Sequence, residues 1–230
     1  MRHKNLRSVS RVRRDYDQDM DNYDRIRFGT PGGQYVDKKE QEFVASVIKD
    51  SRVLEVGTAT GRFAVALTGR GSEYTGVDLS RMMLRETRER TNQSISLIQM
   101  DGCQLGFRSY FNYVLCIRTF HFLSKPVEAL SGMYDALEPS GKCIVTFETD
   151  NFLRRVLLLF GIGTSEQYYY KIPDVEGMFL RAGFTVAKSG SVMRIPVTVY
   201  RRCPRLFVPL LGQLEKLWCW PMHGYVLGSK

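Results

Sequence analysis

At 230 residues, with 43% hydrophobic and 25% charged side chains, the chain has the size and composition of one globular domain with a full core. No run of eighteen apolar residues occurs, which argues against a spanning helix, and no apolar stretch follows the charged start as a secretory signal requires. The formal net charge of +9 would suit nucleic acid or an anionic membrane, but six of those charges are Arg2, Lys4, Arg7, Arg11, Arg13 and Arg14. Residues 1–14 therefore read as a solvated basic tail, with a phosphate- or headgroup-seeking arm as the alternative.

After the tail comes an acidic, tyrosine-bearing stretch, Asp15 to Asp24, then a Gly-Thr-Pro-Gly-Gly loop at 29–33. A helical pattern follows from about Asp37, a plausible N-cap, to Lys49. From there the chain alternates. Apolar runs at Arg52–Val56, Tyr74–Val77, Ile95–Gln99, Tyr113–Ile117 and Cys143–Phe147 read as buried strands. Helical stretches near 61–69, 80–91 and 125–137 separate them, and Pro139-Ser140-Gly141 is expected to turn into the fifth strand. Such alternation predicts a parallel sheet covered on both faces, an α/β doubly wound architecture.

The last third departs from this rhythm. Asn151–Phe160 is an apolar helix candidate before a Gly-rich break, and Asp174–Arg181 a helix closed by Gly183 at C′. Phe184–Lys188 reads as a sixth strand, 204–218 as an amphipathic insert, and His223–Gly228 as a final strand. The five cysteines are an odd number without a Cys-x-x-Cys pair, which argues against disulfides and zinc and for a reducing cytoplasm. Cys116 and Cys143, inside strand-like runs, read as small core residues. No metal site is expected.

The chemistry concentrates at the strand ends. The first strand ends in Glu55 and meets Gly57-Thr58-Ala59-Thr60-Gly61 before an apolar helix, so the backbone can approach a ligand at a helix N-terminus. A dinucleotide fold would want Gly-x-Gly-x-x-Gly, and a phosphate-binding loop would want Gly-Lys-Ser/Thr; neither is present. The second strand ends in Asp78-Leu79-Ser80, where a carboxylate can accept two ribose hydroxyls or simply cap the next helix. The fourth strand runs into Arg118-Thr119-Phe120-His121, and His121 is placed to act as a general base or to be a structural histidine.

Glu-x-Gly-x-x-x-Gly, the spacing to Asp78, and Asp101-Gly102 after the third strand together resemble class I S-adenosylmethionine-dependent methyltransferases. The motif departs from the family at Ala59, where a middle glycine is usual, and at Gly106, which stands for a proline. The resemblance covers residues 37–148 well and 174–190 acceptably, and is similar to the small-molecule branch known as methyltransferase type 11. It implies a Rossmann-like seven-stranded sheet in the order 3-2-1-4-5-7-6, with residues 37–230 as the domain and helical inserts at about 149–172 and 197–220. S-adenosyl-L-methionine is the implied cofactor, with Glu55, Gly57, Thr58, Gly61, Asp78, Leu79, Asp101, Gly102 and Arg118 as its binding residues. Asp101 would meet the adenine amino group and Arg118 the methionine end. Residues 1–36 would join the basic tail to a segment folding over the cofactor, with Tyr23, Arg27 or Tyr35 as contacts.

The resulting expectation is methyl transfer, by in-line displacement, to a small apolar or lipid- or quinone-like acceptor. The chain is expected in the cytoplasm, with possible peripheral membrane contact through the apolar inserts. Absence of Asn/Asp-Pro-Pro-Tyr/Phe after the fourth strand counts against adenine or glutamine methylation. An RNA or protein methyltransferase using the basic tail, and a non-catalytic binding subunit, are the alternatives.

Overall fold

A computed structural model describes residues 8–49, 51–91, 95–161 and 167–230. The first half of the basic tail, residues 1–7, and residues 162–166, which hold most of the Gly-rich break, lie outside these residues. Helix α1 (Val9–Phe28) starts where Ser8 Oγ accepts the Arg11 N–H at 3.2 Å, so Arg11, Arg13 and Arg14 belong to a helix and not to a loose tail. The acidic-tyrosine stretch is the body of that helix. Helix α2 (Pro31–Val47) begins six residues before the expected Asp37 cap. Thr30 Oγ1 caps it by accepting the Gly33 N–H at 3.1 Å, and Pro31 takes the first helical position. The two glycines that read as a loop stand inside α2, because α8 (Val197–Arg202) crosses there. A Cβ on Gly32 would lie 1.8 Å from the Tyr200 carbonyl oxygen.

The alternation then proceeds as β1 (Arg52–Val56), α3 (Arg62–Thr68), β2 (Glu73–Asp78), α4 (Arg81–Thr91), β3 (Ser96–Gln99), β4 (Phe111–Cys116) and α5 (Pro126–Ala136). Strand β5 (Leu137–Glu148) is longer than expected. Pro139-Ser140-Gly141 does not end before it but kinks it, with Ser140 at φ 68° and a register shift against β4. Helices α6 (Phe152–Leu159) and α7 (Ile172–Arg181) follow, then β6 (Thr185–Met193), which runs five residues past the expected end. The insert expected at 204–218 is broken by its own prolines: a 3-10 turn at Arg205–Phe207 leads into α9 (Val208–Leu214). Strand β7 (His223–Ser229) closes the sheet.

The sheet order is β3-β2-β1-β4-β5-β7-β6, with β1 to β5 parallel and β7 antiparallel to both neighbours. Both faces are buried, and the strands show it by alternation. Val114 and Cys116 of β4, with Cys143 and Val145 of β5, enter the core shared with α5 and α7. The intervening Leu115 and Ile144 enter the opposite core with Phe63 and Ala64 of α3. A third cluster around Val36, Met193, Tyr200 and Tyr225 joins α2 and α8 to the β6–β7 edge. Because β1 sits between β2 and β4, the chain leaves it in one direction and returns on the other side. That switch opens a crevice at the carboxyl ends of β1 and β4.

Gly32→Ala forces the α2–α8 crossing apart, since a carbonyl oxygen cannot yield as a flexible side chain can. The expected cost is about 1–3 kcal/mol, a fall in Tm of roughly 2–4 °C per kcal/mol, read by thermal unfolding. An unchanged Tm would show that the crossing is loose.

Candidate active site

The crevice is a cleft with about 1040 Å³ of empty space, open mouth included. Its floor starts at β1. Glu55 is buried and accepts hydrogen bonds from Tyr74 Oη, on the adjacent β2, and from Thr58 Oγ1 at 3.4 Å. Burial pushes its carboxyl up to about 8, so at neutral pH the group is largely protonated under the turn.

The turn 57–61 takes left-handed backbone at three places: Gly57 (φ 81°), Ala59 (φ 47°) and Gly61 (φ 78°). Gly57 is obligatory on a second ground, because a Cβ there would lie 2.2 Å from Thr119 Oγ1. Ala59 meets the strain that a glycine would avoid, and its N–H is fixed by Asp78 Oδ2 at 2.9 Å. Asp78 Oδ1 accepts the Ser80 N–H at 2.9 Å. One carboxylate thus caps α4's approach and clamps the β1 turn. Burial raises its pKa against the opposing pull of these backbone N–H groups. On the next strand end, Asp101 Oδ1 accepts the Cys103 N–H at 2.9 Å in a tight turn.

After β4, Arg118 adopts φ 55° with its N–H donated to Thr146 Oγ1 at 2.8 Å. Its Nη1 stands 3.5 Å from Glu40 Oε1, and that buried carboxylate is shared with Arg62 Nη2 at 3.1 Å. Burial alone would raise the Glu40 pKa, but the Arg118 and Arg62 charges outweigh it and the pKa is lowered.

Helix α1 forms the roof. The Tyr16 ring meets Phe122 edge-on at 5.8 Å, and the Arg27 guanidinium lies over Tyr23 at 4.2 Å. Burial pushes the Tyr16 hydroxyl up to about 12. Two of the helix's acids pin it down: Asp17 Oδ1 accepts from Ser80 Oγ at 2.5 Å, and Asp24 Oδ1 from Thr60 Oγ1 at 2.9 Å. Arg90 of α4 pairs with Asp24 as well.

The structure therefore brings Glu55, Gly57, Thr58, Asp78, Leu79, Asp101, Gly102 and Arg118 around one cleft, with Gly61 just behind as the cap of α3. Of the three candidate cover residues, Tyr23 and Arg27 line it, whereas Tyr35 stacks on Tyr200 at 5.2 Å in the third core cluster. His121 does not face the cleft as a base would. Its neighbours Thr119 and Phe122 line the wall, while its own ring is buried and pushed down to about 3, a neutral imidazole of little basicity. Sequence reasoning missed Tyr16, Asp17 and Asp24. Their signal was the seven-residue spacing of the pairs Tyr16/Tyr23 and Asp17/Asp24, two turns of one helix face.

A carboxyl whose folded pKa lies above its unfolded value favours folding fully below the unfolded pKa of about 4.3 and loses that contribution as pH rises towards 8. Glu55→Gln removes this loss. In thermal melts of the ligand-free protein, the variant's Tm relative to wild type should rise between pH 5 and pH 8; a pH-independent difference would mean that Glu55 is ionised throughout.

A methyltransferase domain family matches residues 54–145, the span from β1 to β5 that builds the cleft. The ubiquinone biosynthesis O-methyltransferase of Psychrobacter arcticus (strain DSM 17307 / VKM B-2377 / 273-4) is 24% identical over 168 residues, 66% of this chain. The chain spans 49% and 65% of the lengths of curated relatives it matches. Among solved structures, magnesium protoporphyrin IX methyltransferase from Synechocystis PCC 6803 with bound S-adenosylhomocysteine superposes with a TM-score of 0.70. It is 17% identical and the match covers 97% of this chain and 100% of that one. The [4+2]-cyclase SpnF superposes at 0.73, with 16% identity and 98% of each chain covered. At such identities the likeness establishes the fold, and SpnF shows that the fold alone does not fix the reaction. Residues 54–145 match the methyltransferase domain family, and the strand order around them is that of the Rossmann-like methyltransferase fold.

Proposed function

We propose that the cleft binds S-adenosylmethionine and that the chain directs its methyl group onto a small acceptor with an apolar, lipid- or quinone-like body. The observation that carries this reading is the convergence of Asp78, Asp101 and the left-handed turn 57–61 on one cleft at the switch point of the sheet. The donor set fits. Each Asp78 oxygen takes one backbone N–H and retains a lone pair for a ribose hydroxyl. Asp101 and the Gly102 N–H suit an adenine edge. Arg118 Nη1, buried without a hydrogen-bond partner among the described residues, suits a carboxylate, and Arg27 lines the same cleft.

S-adenosylmethionine supplies the electrophilic carbon and a thioether leaving group. The residues of this chain orient and exclude water. Tyr16 against Phe122 narrows the cleft beneath α1, and Val9, Val12 and Leu123 give its walls an apolar character that favours a greasy acceptor. His121 takes no proton in this reading; its carbonyl accepts the Tyr168 N–H at 3.0 Å and so holds the segment after α6. The sequence similarity to a quinone-pathway enzyme supports the acceptor class, and peripheral contact with a membrane would bring such an acceptor within reach. A protein or RNA acceptor is the second reading, favoured by Arg13 at the cleft wall.

Calorimetry with S-adenosylmethionine and S-adenosylhomocysteine tests cofactor binding. Asp78→Asn and Asp101→Ala should each weaken it about 10-fold or more, the worth of a hydrogen bond to a charged group. His121→Gln should stay within about threefold of wild type in labelled-methyl transfer, far short of the loss that follows removal of a general base. Absence of binding at high micromolar cofactor would sink the reading. Label entering RNA or protein but not the lipid and quinone fraction would move the acceptor to the second one.

A further inference from the structure

The two inserts leave an apolar surface that the cleft does not use. On α6 and its C-cap Phe160, Phe152, Leu159 and Phe160 are 69%, 85% and 77% exposed, and Phe152 and Leu159 stand seven residues apart on one helix face. On the segment through α9, Leu206 and Leu217 are 83% and 84% exposed, and Phe207, Leu210 and Leu214 continue the stripe between them at spacings of three and four. The two stripes are joined. The Phe152 and Trp220 rings lie 6.3 Å apart, and Trp218 packs on Trp220 edge-on at 6.2 Å.

Along the segment 194–220 the exposed charge has one sign, and beside α6 Asp150 is paired with Arg155. Residues 194–220 contain Arg194, Arg201, Arg202, Arg205 and Lys216, against the single carboxylate of Glu215. That carboxylate is buried, accepting the Arg194 N–H, pairing with Lys39 and accepting from Tyr200 Oη at 3.1 Å. Arg194 Nη1 in turn donates to the Trp218 carbonyl at 3.2 Å. Exposed leucines, two tryptophans able to sit at a headgroup boundary, and an unneutralised cationic rim form the pattern of an interfacial anchor.

We propose that this face, α6 together with the segment 205–220, docks on an anionic lipid surface. A second copy of the chain is the competing occupant. A two-fold contact would set the patch against its own image and so bring Arg202, Arg205 and Lys216 towards their like-charged counterparts without an acid to relieve them. Anionic headgroups relieve the charge and accept the leucines together. No helix among the described residues is long and apolar enough to cross a membrane, so the contact is lateral. The inference rests on the proposed function only for its purpose, to meet a greasy acceptor; docking itself needs no cofactor.

The test is co-sedimentation of the full chain, without cofactor, with vesicles of phosphatidylcholine alone or containing phosphatidylglycerol. Partitioning should be at least about tenfold stronger on the anionic vesicles and fall as salt rises. Arg202→Gln with Arg205→Gln should remove most of the anionic preference, at about fivefold per charge. Leu206→Glu with Leu217→Glu should abolish binding while leaving S-adenosylhomocysteine affinity and Tm unchanged. Equal partitioning on both vesicles, no partitioning, or a dimer that this leucine pair converts to monomer would each overturn the proposal. Loss of cofactor binding in the wild-type chain would count against the function and not against the docking.

Discussion

The Asp78 carboxylate accepts backbone N–H groups from two different strand ends, Ala59 after β1 and Ser80 after β2. It is half-buried at the cleft wall, so losing either backbone partner would leave a partly desolvated carboxylate oxygen unpaired. The geometry of the turn 57–61 depends on this clamp, since Ala59 would not hold φ 47° without a partner to fix it. Glu55 supports the same turn from below through Thr58 and Tyr74, as a buried acid that keeps its proton. The floor of the cleft is therefore backbone held by two acid side chains on neighbouring strand ends.

The roof follows from the same loops. Ser80 and Thr60, neighbours of the clamp, hold Asp17 and Asp24 of α1, so the helix is fastened to the two turns it covers. A helix this polar buries little along most of its length and is stable because of such tertiary contacts, not its own propensity. At the far wall, Arg62 and Arg118 share Glu40, and Arg201 nearby is pushed down to about 10 by its own burial and by the positive charges of Arg118 and Arg27. Charge in excess on that side is what an anionic group of a bound ligand would balance.

Much of this was legible in the sequence, and the reasons differ by element. Buried parallel strands are apolar throughout, so β1, β2, β4 and β5 stood out at once, and the acids at their tips were conspicuous by contrast. The order of the sheet came from a family resemblance, since periodicity does not encode strand neighbours. What escaped were features decided by distant partners. The start of α2 read as a loop because Gly32 and Gly33 are poor helix formers; Gly32 is there to admit the Tyr200 carbonyl of α8. Asp17 and Asp24 received no role within the acidic stretch because Ser80 and Thr60 lie 63 and 36 residues away. His121 read from its position along the chain as either a general base or a structural histidine; a single-turn 3-10 segment at Phe120–Phe122 buries its ring and presents Phe122 to the cleft.

The central proposal is that one cleft, floored by the turn after β1 and roofed by α1, is the adenosyl site. Amide hydrogen exchange with and without S-adenosylhomocysteine tests it directly, because protection reports which backbone the ligand orders. Added protection is expected in 55–61, 78–80 and 100–103 together with 12–27 of α1, with little change in β6, β7 and the segment 205–220. Binding without protection of the three strand ends, or with protection confined to the inserts, would contradict it.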